Sequence, residues 1–173
     1  MTIRKILTEP DPFLRQKSQI VKKVDDGTRK LMNDMLDTMY AAPGIGLAAI
    51  QIGVAERVIV IDLSKDEEKK PLFFVNPEII LKSNNNLTYE EGCLSVPGQF
   101  AEVDRPDQCH ISYIDYYGEH QKLKAEGLLA TCIQHEIDHL EGILFIDYLS
   151  KLKKSFIVKK LSKQKKILER IVV

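Results

Sequence analysis

The stretch Gln134-His135-Glu136-Ile137-Asp138-His139 has the pattern H-E-x-x-H and lies within the longer run Glu126 to Gly142. In a helix, residues four apart project from the same face, so the two imidazoles can bind one divalent ion. Glu136 follows the first histidine and can reach a water molecule held by such an ion. The alternative is a structural helix that carries two histidines by chance, which is rare in a sequence with only 4 histidines.

A catalytic ion held by two histidines needs a third protein ligand. The extended motif with a third histidine fails here, because Phe145 occupies that position. A glutamate some twenty residues beyond the motif is also missing, since that region holds Lys159, Lys160 and Lys163 and its only acid is Glu169. Cys93 is the best upstream candidate, because it lies in a predicted turn, Gly92-Cys93-Leu94-Ser95, with carboxylates beside it. Taken alone, a cysteine is more often a small buried hydrophobic residue.

The motif predicts a helix from about Gly127 to Glu141 that ends at Gly142. A small, mostly apolar stripe runs along this helix from the histidines toward its N-terminus. Such a wall beside an ion is what a pocket for one apolar side chain needs. The stripe consists of Leu128, Thr131, Cys132, His135 and His139. The same position favours pocket lining over metal ligation for Cys132.

The rest of the chain predicts an α+β fold, with short antiparallel sheets packed around the H-E-x-x-H helix. An N-terminal helix of about Gly27 to Ala42 is indicated by a capping aspartate and a Met-rich stripe of helical period, which favours a core-facing surface. A long basic helix of about Ser150 to Arg170 closes the chain. Because no linker or repeat interrupts the sequence, we expect one domain over residues 1–173. The predicted strands are Arg57 to Leu63, Leu72 to Asn76, Ile79 to Leu81, Gln108 to Tyr116 and Glu119 to Ala125.

Composition points to a globular protein of a reducing compartment. Of 173 residues, 44% are hydrophobic and 29% are charged, as in ordinary soluble domains. The first ten residues carry charge and proline where a signal peptide needs an apolar run, and no stretch is apolar enough to span a bilayer. Three cysteines cannot all pair. We therefore expect a cytoplasmic protein with no stable membrane association.

The net charge of zero hides an uneven distribution. Residues 151–173 hold eight lysines, one arginine and one glutamate, a net charge of +8, so residues 1–150 carry −8. A solvated helix face is the default for such a run of charge. The same charge also favours binding to an RNA backbone or to an anionic membrane surface.

The segment Gly44-Ile45-Gly46-Leu47-Ala48-Ala49-Ile50-Gln51 contains two glycines two positions apart. A phosphate-binding loop is excluded, because no strand precedes the glycines and no Lys-Ser or Lys-Thr pair follows them. The small residues indicate a backbone that approaches another group closely.

Three segments together resemble the three motifs of the peptide deformylases, which remove the N-formyl group from new bacterial or organellar proteins. They are Gly44 to Gln51, Glu91 to Ser95 and Gln134 to His139, in matching order and rough spacing. The likeness extends over about residues 1–150, and the basic C-terminal helix is similar to that of the bacterial form. The segment Gln99-Phe100-Ala101-Glu102 is less typical and lies in a variable part of the family.

The resemblance implies a general acid/base at Glu136. It also implies two donors to the developing oxyanion, the Gln51 side-chain amide and the Leu94 backbone N–H. The ligands that it implies for one divalent ion per chain, usually Fe2+ with Ni2+, Co2+ or Zn2+ as alternatives, are Cys93, His135 and His139. The substrate-binding residues that it implies are Ile45, Gly46, Glu91, Gly92, Leu128, Thr131 and Cys132.

The resemblance also implies partners: N-formyl-methionyl nascent peptides as substrates, and the ribosome through the basic C-terminal helix. A monomer that binds no DNA is expected. Other functions stay open on the residues alone. A metallopeptidase would use the same ion and Glu136, whereas a metal-independent enzyme would use Cys93 as nucleophile with a histidine base. A non-enzymatic module would bind ribosomes or membranes through the basic helix, although the presence of Glu136 and Gln51 argues against it.

Overall fold

The structure, a computed structural model, describes residues 2–64 and 68–171, with side chains described up to residue 167. This part of the chain has the predicted α+β composition, with short 3₁₀ turns between some of the elements. The helices are α1 (Asp26–Ala41), α2 (Gly127–Leu140) and α3 (Lys151–Ile171). The strands are β1 (Gly46–Ala48), β2 (Val58–Ile61), β3 (Leu72–Lys82), β4 (Asn86–Cys93), β5 (Val96–Pro106), β6 (Gln108–Ile114) and β7 (His120–Glu126).

An antiparallel sheet with the strand order β1-β2-β3-β6-β7 separates two hydrophobic cores. Alternate residues of a strand face opposite sides of a sheet, and β2 is buried on both. Its valines, Val58 and Val60, pack in the core beneath α1, whereas Ile59 and Ile61 pack in the core beneath α2. The continuous Val-Ile-Val-Ile run is therefore apolar because α1 and α2 cover the two faces.

Helix α1 confirms the predicted Met-rich stripe as a core-facing surface. The Asp25 side chain accepts a hydrogen bond from the Thr28 backbone N–H at 2.9 Å, which caps the first turn. Three methionines, Met32, Met35 and Met39, are fully buried against the sheet. The helix starts and ends within one residue of the predicted bounds.

Strand β3 differs from the prediction of two short strands separated by Pro77. It is one element, and its pairing with β6 shifts between Val75 and Glu78. In this bulge the Asn76 side chain accepts from the Val21 N–H at 2.9 Å and donates to the Val21 carbonyl at 2.8 Å. A proline, which has no N–H, is tolerated at such a bulge, so Pro77 interrupts the pairing without ending the strand.

Strands β4 and β5 form a separate two-stranded hairpin, and neither was predicted as a strand. The turn at Leu94 and Ser95 joins them. Helix α3 packs near this hairpin: Leu161 is buried and Ile157 half-buried, in a core shared with Val96 and other residues of the hairpin. The predicted apolar edge of α3 also included Leu168 and Ile171, whose side chains lie outside the described residues. No helix in the described ranges is long and apolar enough to cross a membrane.

Candidate metal centre and active site

The end of α2 is fixed by Gly142, which has a positive φ of 75°. Its N–H donates to the His139 carbonyl at 3.1 Å, and the next N–H, of Ile143, donates to the Asp138 carbonyl at 2.9 Å. A Cβ at position 142 would collide with the backbone of Arg15. Any other residue would therefore clash there, and its backbone would also be strained at this positive φ. The helix therefore stops directly after the second histidine of the motif.

Cys93, at the end of β4, meets both histidines of α2. One donor atom from each of Cys93, His135 and His139 lies within 4.8 Å of the other two. The Cys93 Sγ is 3.3 Å from the His139 Nε2. Ligands of a tetrahedral ion at ordinary Zn–S and Zn–N distances lie about 3.3 to 3.6 Å apart, so the spacing suits one metal ion.

The histidine His139 is fully buried, and its Nδ1 has no hydrogen-bond partner among the residues that the structure describes. Burial lowers the pKa of His139 well below its ordinary value, which keeps the ring neutral, as metal binding requires. One thiol and two imidazoles form a donor set for Fe2+, Co2+, Ni2+ or Zn2+ rather than for Mg2+ or Ca2+. The residues present therefore fit a divalent transition-metal ion.

A buried network orients the other histidine. The His135 Nδ1 lies 2.8 Å from the Glu91 carboxylate, which leaves Nε2 for a metal ion. Arg105 donates to Glu91 at 3.0 Å and to Asp138 at 2.7 Å, and the Tyr148 hydroxyl also donates to Asp138. Burial raises the pKa of Glu91, but hydrogen bonds from His135 and Arg105 outweigh it, so the pKa lies below its ordinary value and the carboxylate is charged.

Glu136 is buried beside the first strand of the sheet. Burial raises its pKa to about 7, and its Oε2 has no hydrogen-bond partner within the described part of the chain. The other oxygen, Oε1, lies so close to Gly46 that a Cβ there would collide with it. The glycine-containing segment was predicted to bring its backbone close to another group. At Gly46 this prediction is confirmed, and the group is the Glu136 carboxylate.

Gln51 presents its amide nitrogen to Cys93. Its Oε1 accepts from the Ala48 N–H at 2.8 Å, which fixes the orientation of the amide. Its Nε2 donates to the Ser95 hydroxyl at 3.1 Å and lies 3.5 Å from the Cys93 Sγ. The short 3₁₀ turn Ala49–Ile52 positions Gln51 directly after β1, so the first sequence segment meets the second one here.

These groups surround a cavity of about 470 Å³, a size typical of small-molecule sites. The stripe of α2 forms one wall of it: Thr131 and Cys132 are buried, and Leu128 is partly exposed. Burial raises the pKa of Cys132 to about 12, so this thiol stays neutral. The other predicted residues that line the cavity are Ile45, Gly46, Gln51, Glu91, Gly92, Cys93, Leu94, His135 and Glu136. His139 is not part of the lining, but its Nε2 lies 3.3 Å from the Sγ of Cys93, which is.

Several residues of the site were not predicted. Arg105 lies on β5, and no sequence signal indicated that its strand pairs with β4. Glu91 was predicted to bind substrate, and although the residue lines the cavity, its carboxylate bonds to His135 and Arg105. Ser95, the partner of Gln51, lies inside a recognised segment but had no assigned role. Phe100 also lines the cavity, although the segment Gln99 to Glu102 had no assigned role because it lies in a variable part of the family.

Three clustered metal-binding donors, with a buried carboxylate and an amide donor beside an apolar cavity, are typical of metal-dependent hydrolases. The profile of the family described as polypeptide deformylase matches residues 3–155. The peptide deformylase of Pelagibacter ubique is 65% identical and is aligned over 100% of both chains. That of Phenylobacterium zucineum is 60% identical, over 96% of this chain and 99% of its own.

Solved structures of peptide deformylases also resemble this chain. The crystal structure of peptide deformylase from Ehrlichia chaffeensis superposes with a TM-score of 0.91 at 41% identity, covering 96% of this chain and 98% of that one. A crystal structure of peptide deformylase from the same organism in complex with actinonin has a TM-score of 0.91 at 43% identity, over 95% of this chain and 98% of its own. The chain belongs to the polypeptide deformylase family, whose members are metal-dependent hydrolases of N-formyl peptides.

Proposed function

We propose that this protein removes the N-formyl group from the N-terminal formyl-methionine of newly synthesised proteins and releases formate, acting in the cytoplasm as one catalytic domain over residues 1–173. The observation that carries the proposal is the convergence of three sequence segments on one cavity. Together they supply the Cys93, His135 and His139 donors, the Glu136 carboxylate and the Gln51 amide. Membership of the deformylase family supports the same activity.

Cys93, His135 and His139 would hold one divalent ion, with Fe2+ as the proposed ion and Ni2+, Co2+ or Zn2+ as alternatives. When bound, such an ion polarises a carbonyl group and lowers the pKa of a nearby water molecule. Glu91 and Arg105 serve this site by fixing the orientation of the His135 ring. Cys93 must be a thiolate to bind the ion.

Glu136 moves the proton in the proposed reaction. It accepts a proton from the attacking water molecule and later donates it to the nitrogen of the leaving amine. A carboxylate whose pKa is raised to about 7 by burial is suited to both steps, because it can gain and lose a proton near neutral pH. Formate leaves once the C–N bond has broken.

Two donors stabilise the oxyanion that forms on the formyl carbon. The Gln51 amide is already oriented by Ala48, and the Leu94 backbone N–H is the second donor. One donor of this kind is typically worth about 3 kcal/mol in the transition state. The Gly46 backbone would bind the peptide main chain. The methionine side chain would lie against Ile45, Leu128, Thr131 and Cys132. Glu91 and Gly92, which the family resemblance also implies as substrate-binding residues, would lie beside it.

The test of this function is formate release from a formyl-methionyl tripeptide. We expect stoichiometric formate and a free α-amino group, and we expect a chelator to abolish turnover. Cleavage at an internal amide without formate would show a metallopeptidase instead. Activity that survives chelation but is blocked by thiol alkylation would show that Cys93 acts as a nucleophile.

Helix α3 is the proposed ribosome-binding surface, since most of its lysines are exposed. Changing Lys159, Lys160, Lys163 and Lys166 to glutamine should remove four contacts with RNA phosphates. The logarithm of the ribosome-binding constant falls as the logarithm of salt concentration rises, and the slope of this dependence should become less negative by about 3, as measured by co-sedimentation. The control changes four exposed lysines elsewhere, Lys22, Lys23, Lys82 and Lys122. Equal salt dependence in the two variants would contradict the proposal. A monomer is proposed in either case.

A further inference from the structure

The N-terminal arm, residues 2–24, passes along two of the three segments that form the site. The Leu7 N–H donates to the Gln51 carbonyl at 2.7 Å, and the Glu9 N–H donates to the Ser95 carbonyl at 2.8 Å. Gln51 ends the first of these segments, and Ser95 ends the second. The backbone of the arm therefore ties the ends of the two segments together.

Ser95 is the residue at which the arm meets the reacting groups. It is fully buried, and its hydroxyl accepts a hydrogen bond from the Gln51 Nε2 at 3.1 Å. Its own N–H donates to the Cys93 Sγ at 3.4 Å. Because Ser95 contacts both side chains, a shift of its backbone would move the Gln51 amide relative to Cys93.

An ion pair with a buried carboxylate holds the arm in this position. The Glu9 carboxylate, whose side chain is 8% exposed, accepts from the Arg15 Nη2 at 3.1 Å. The Arg15 Nη1 donates to the Asp147 carboxylate at 2.6 Å, and Asp147 also accepts from the Leu144 backbone N–H at 2.9 Å. A buried charge is costly unless it is paired, so Arg15 keeps Glu9 where its N–H reaches Ser95.

We propose, on the basis of the deformylase function above, that Arg15 is a positioning residue for the Gln51 amide, the proposed oxyanion donor. Through Glu9 it holds the arm against Ser95, and Ser95 in turn fixes the amide. Arg15 does not line the cavity, so it acts on the reaction only through these neighbours. Its loss weakens the stabilisation of the transition state and leaves the metal donors and the methionine pocket in place.

The Arg15→Gln variant measures this role. Full loss of one oxyanion donor costs about 100- to 1000-fold in kcat, so a displaced amide should cost part of that, about tenfold. The KM for a formyl-methionyl tripeptide should stay within about twofold of the wild type, because only an interaction of the transition state is weakened. Metal content should be unchanged. Glu9→Ala, which removes the other half of the ion pair, should give the same pattern and serves as the test if Arg15→Gln does not fold.

A double-mutant cycle with Gln51→Ala separates positioning from a general loss of stability. In the Gln51→Ala protein no amide is left to position, so the addition of Arg15→Gln should lower kcat by less than about twofold. A purely structural role would lower kcat by the same factor in both backgrounds. That result would overturn the proposal.

Arg4→Gln is the matched control. Arg4 lies on the same arm and donates to the buried Asp34 carboxylate at 2.9 Å, and neither of these residues lines the cavity. Its kcat should equal that of the wild type, and thermal unfolding measures the stability that each variant loses. Equal kcat in Arg15→Gln and Arg4→Gln would contradict the positioning role, while formate release by the wild type upheld the deformylase function. No formate from the wild type would contradict the deformylase function itself and this inference with it.

Discussion

Replacement of Glu136 with glutamine is expected to reduce kcat/KM for formate release by a factor of about 10² to 10⁴, the usual contribution of a general acid/base. Glutamine has nearly the same shape, so it can occupy the space beside Gly46, but it cannot accept the proton from water. Because Glu136 is not among the three proposed metal donors, the ion should be retained. Metal content measured by mass spectrometry, together with turnover of a formyl-methionyl peptide, checks both parts.

The matched control for this variant is Glu141→Gln. Glu141 directly follows α2, and its carboxylate pairs with Arg57 and Lys17 at the surface, away from the cavity. Its loss should leave formate release close to that of the wild type. If Glu136→Gln, fully loaded with metal, also turned over at nearly the wild-type rate, the acid/base role would belong to another group.

Replacement of Cys93 with alanine is expected to weaken metal binding by more than about a hundredfold. The loss of a group that merely supports a ligand already costs 10- to 100-fold, and here one of the three donors proposed among the described residues is removed. Formate release should fall in parallel with metal content. Equilibrium dialysis against a buffered metal solution measures the affinity, and the peptide assay on the same samples measures the activity.

Cys109→Ala is the control for a general effect of losing a buried cysteine. Cys109 lies in the core between the sheet and α2, and burial raises the pKa of its thiol, so it stays neutral. Its variant should lose some stability but keep the ion. A Cys93→Ala protein that held one ion per chain with wild-type affinity would show that the third ligand lies elsewhere.

The parts of the structure that follow local rules could be predicted from the sequence. Helical periodicity placed His135, His139 and the apolar stripe on one face of α2, and the Met-rich stripe of α1 faces the core as predicted. The position of Cys93 beside both histidines was predicted because the other known patterns for a third ligand fail here and because the family resemblance implies it. The chemical roles of these residues are still predictions that the variants above would test.

The parts that depend on strand pairing could not be predicted. The register of β4 with β5 places Arg105 on the same face as Glu91, within reach of its carboxylate, and pairs Phe100 with Gly92. Nothing local in the sequence encodes this register, and Pro97-Gly98 had the composition of a turn. Likewise, the side chain of Asn76 replaces backbone pairing at a bulge, so Pro77 lies within one strand where two were predicted.

The most direct test of the metal-centred account is a titration of metal-free protein with Fe2+ under anaerobic conditions, with formate release from a formyl-methionyl peptide measured at each step. The account predicts activity that rises in proportion to added ion and reaches a plateau at one ion per chain. Formate release at full rate before any ion is added, or no release at any metal loading, would contradict it.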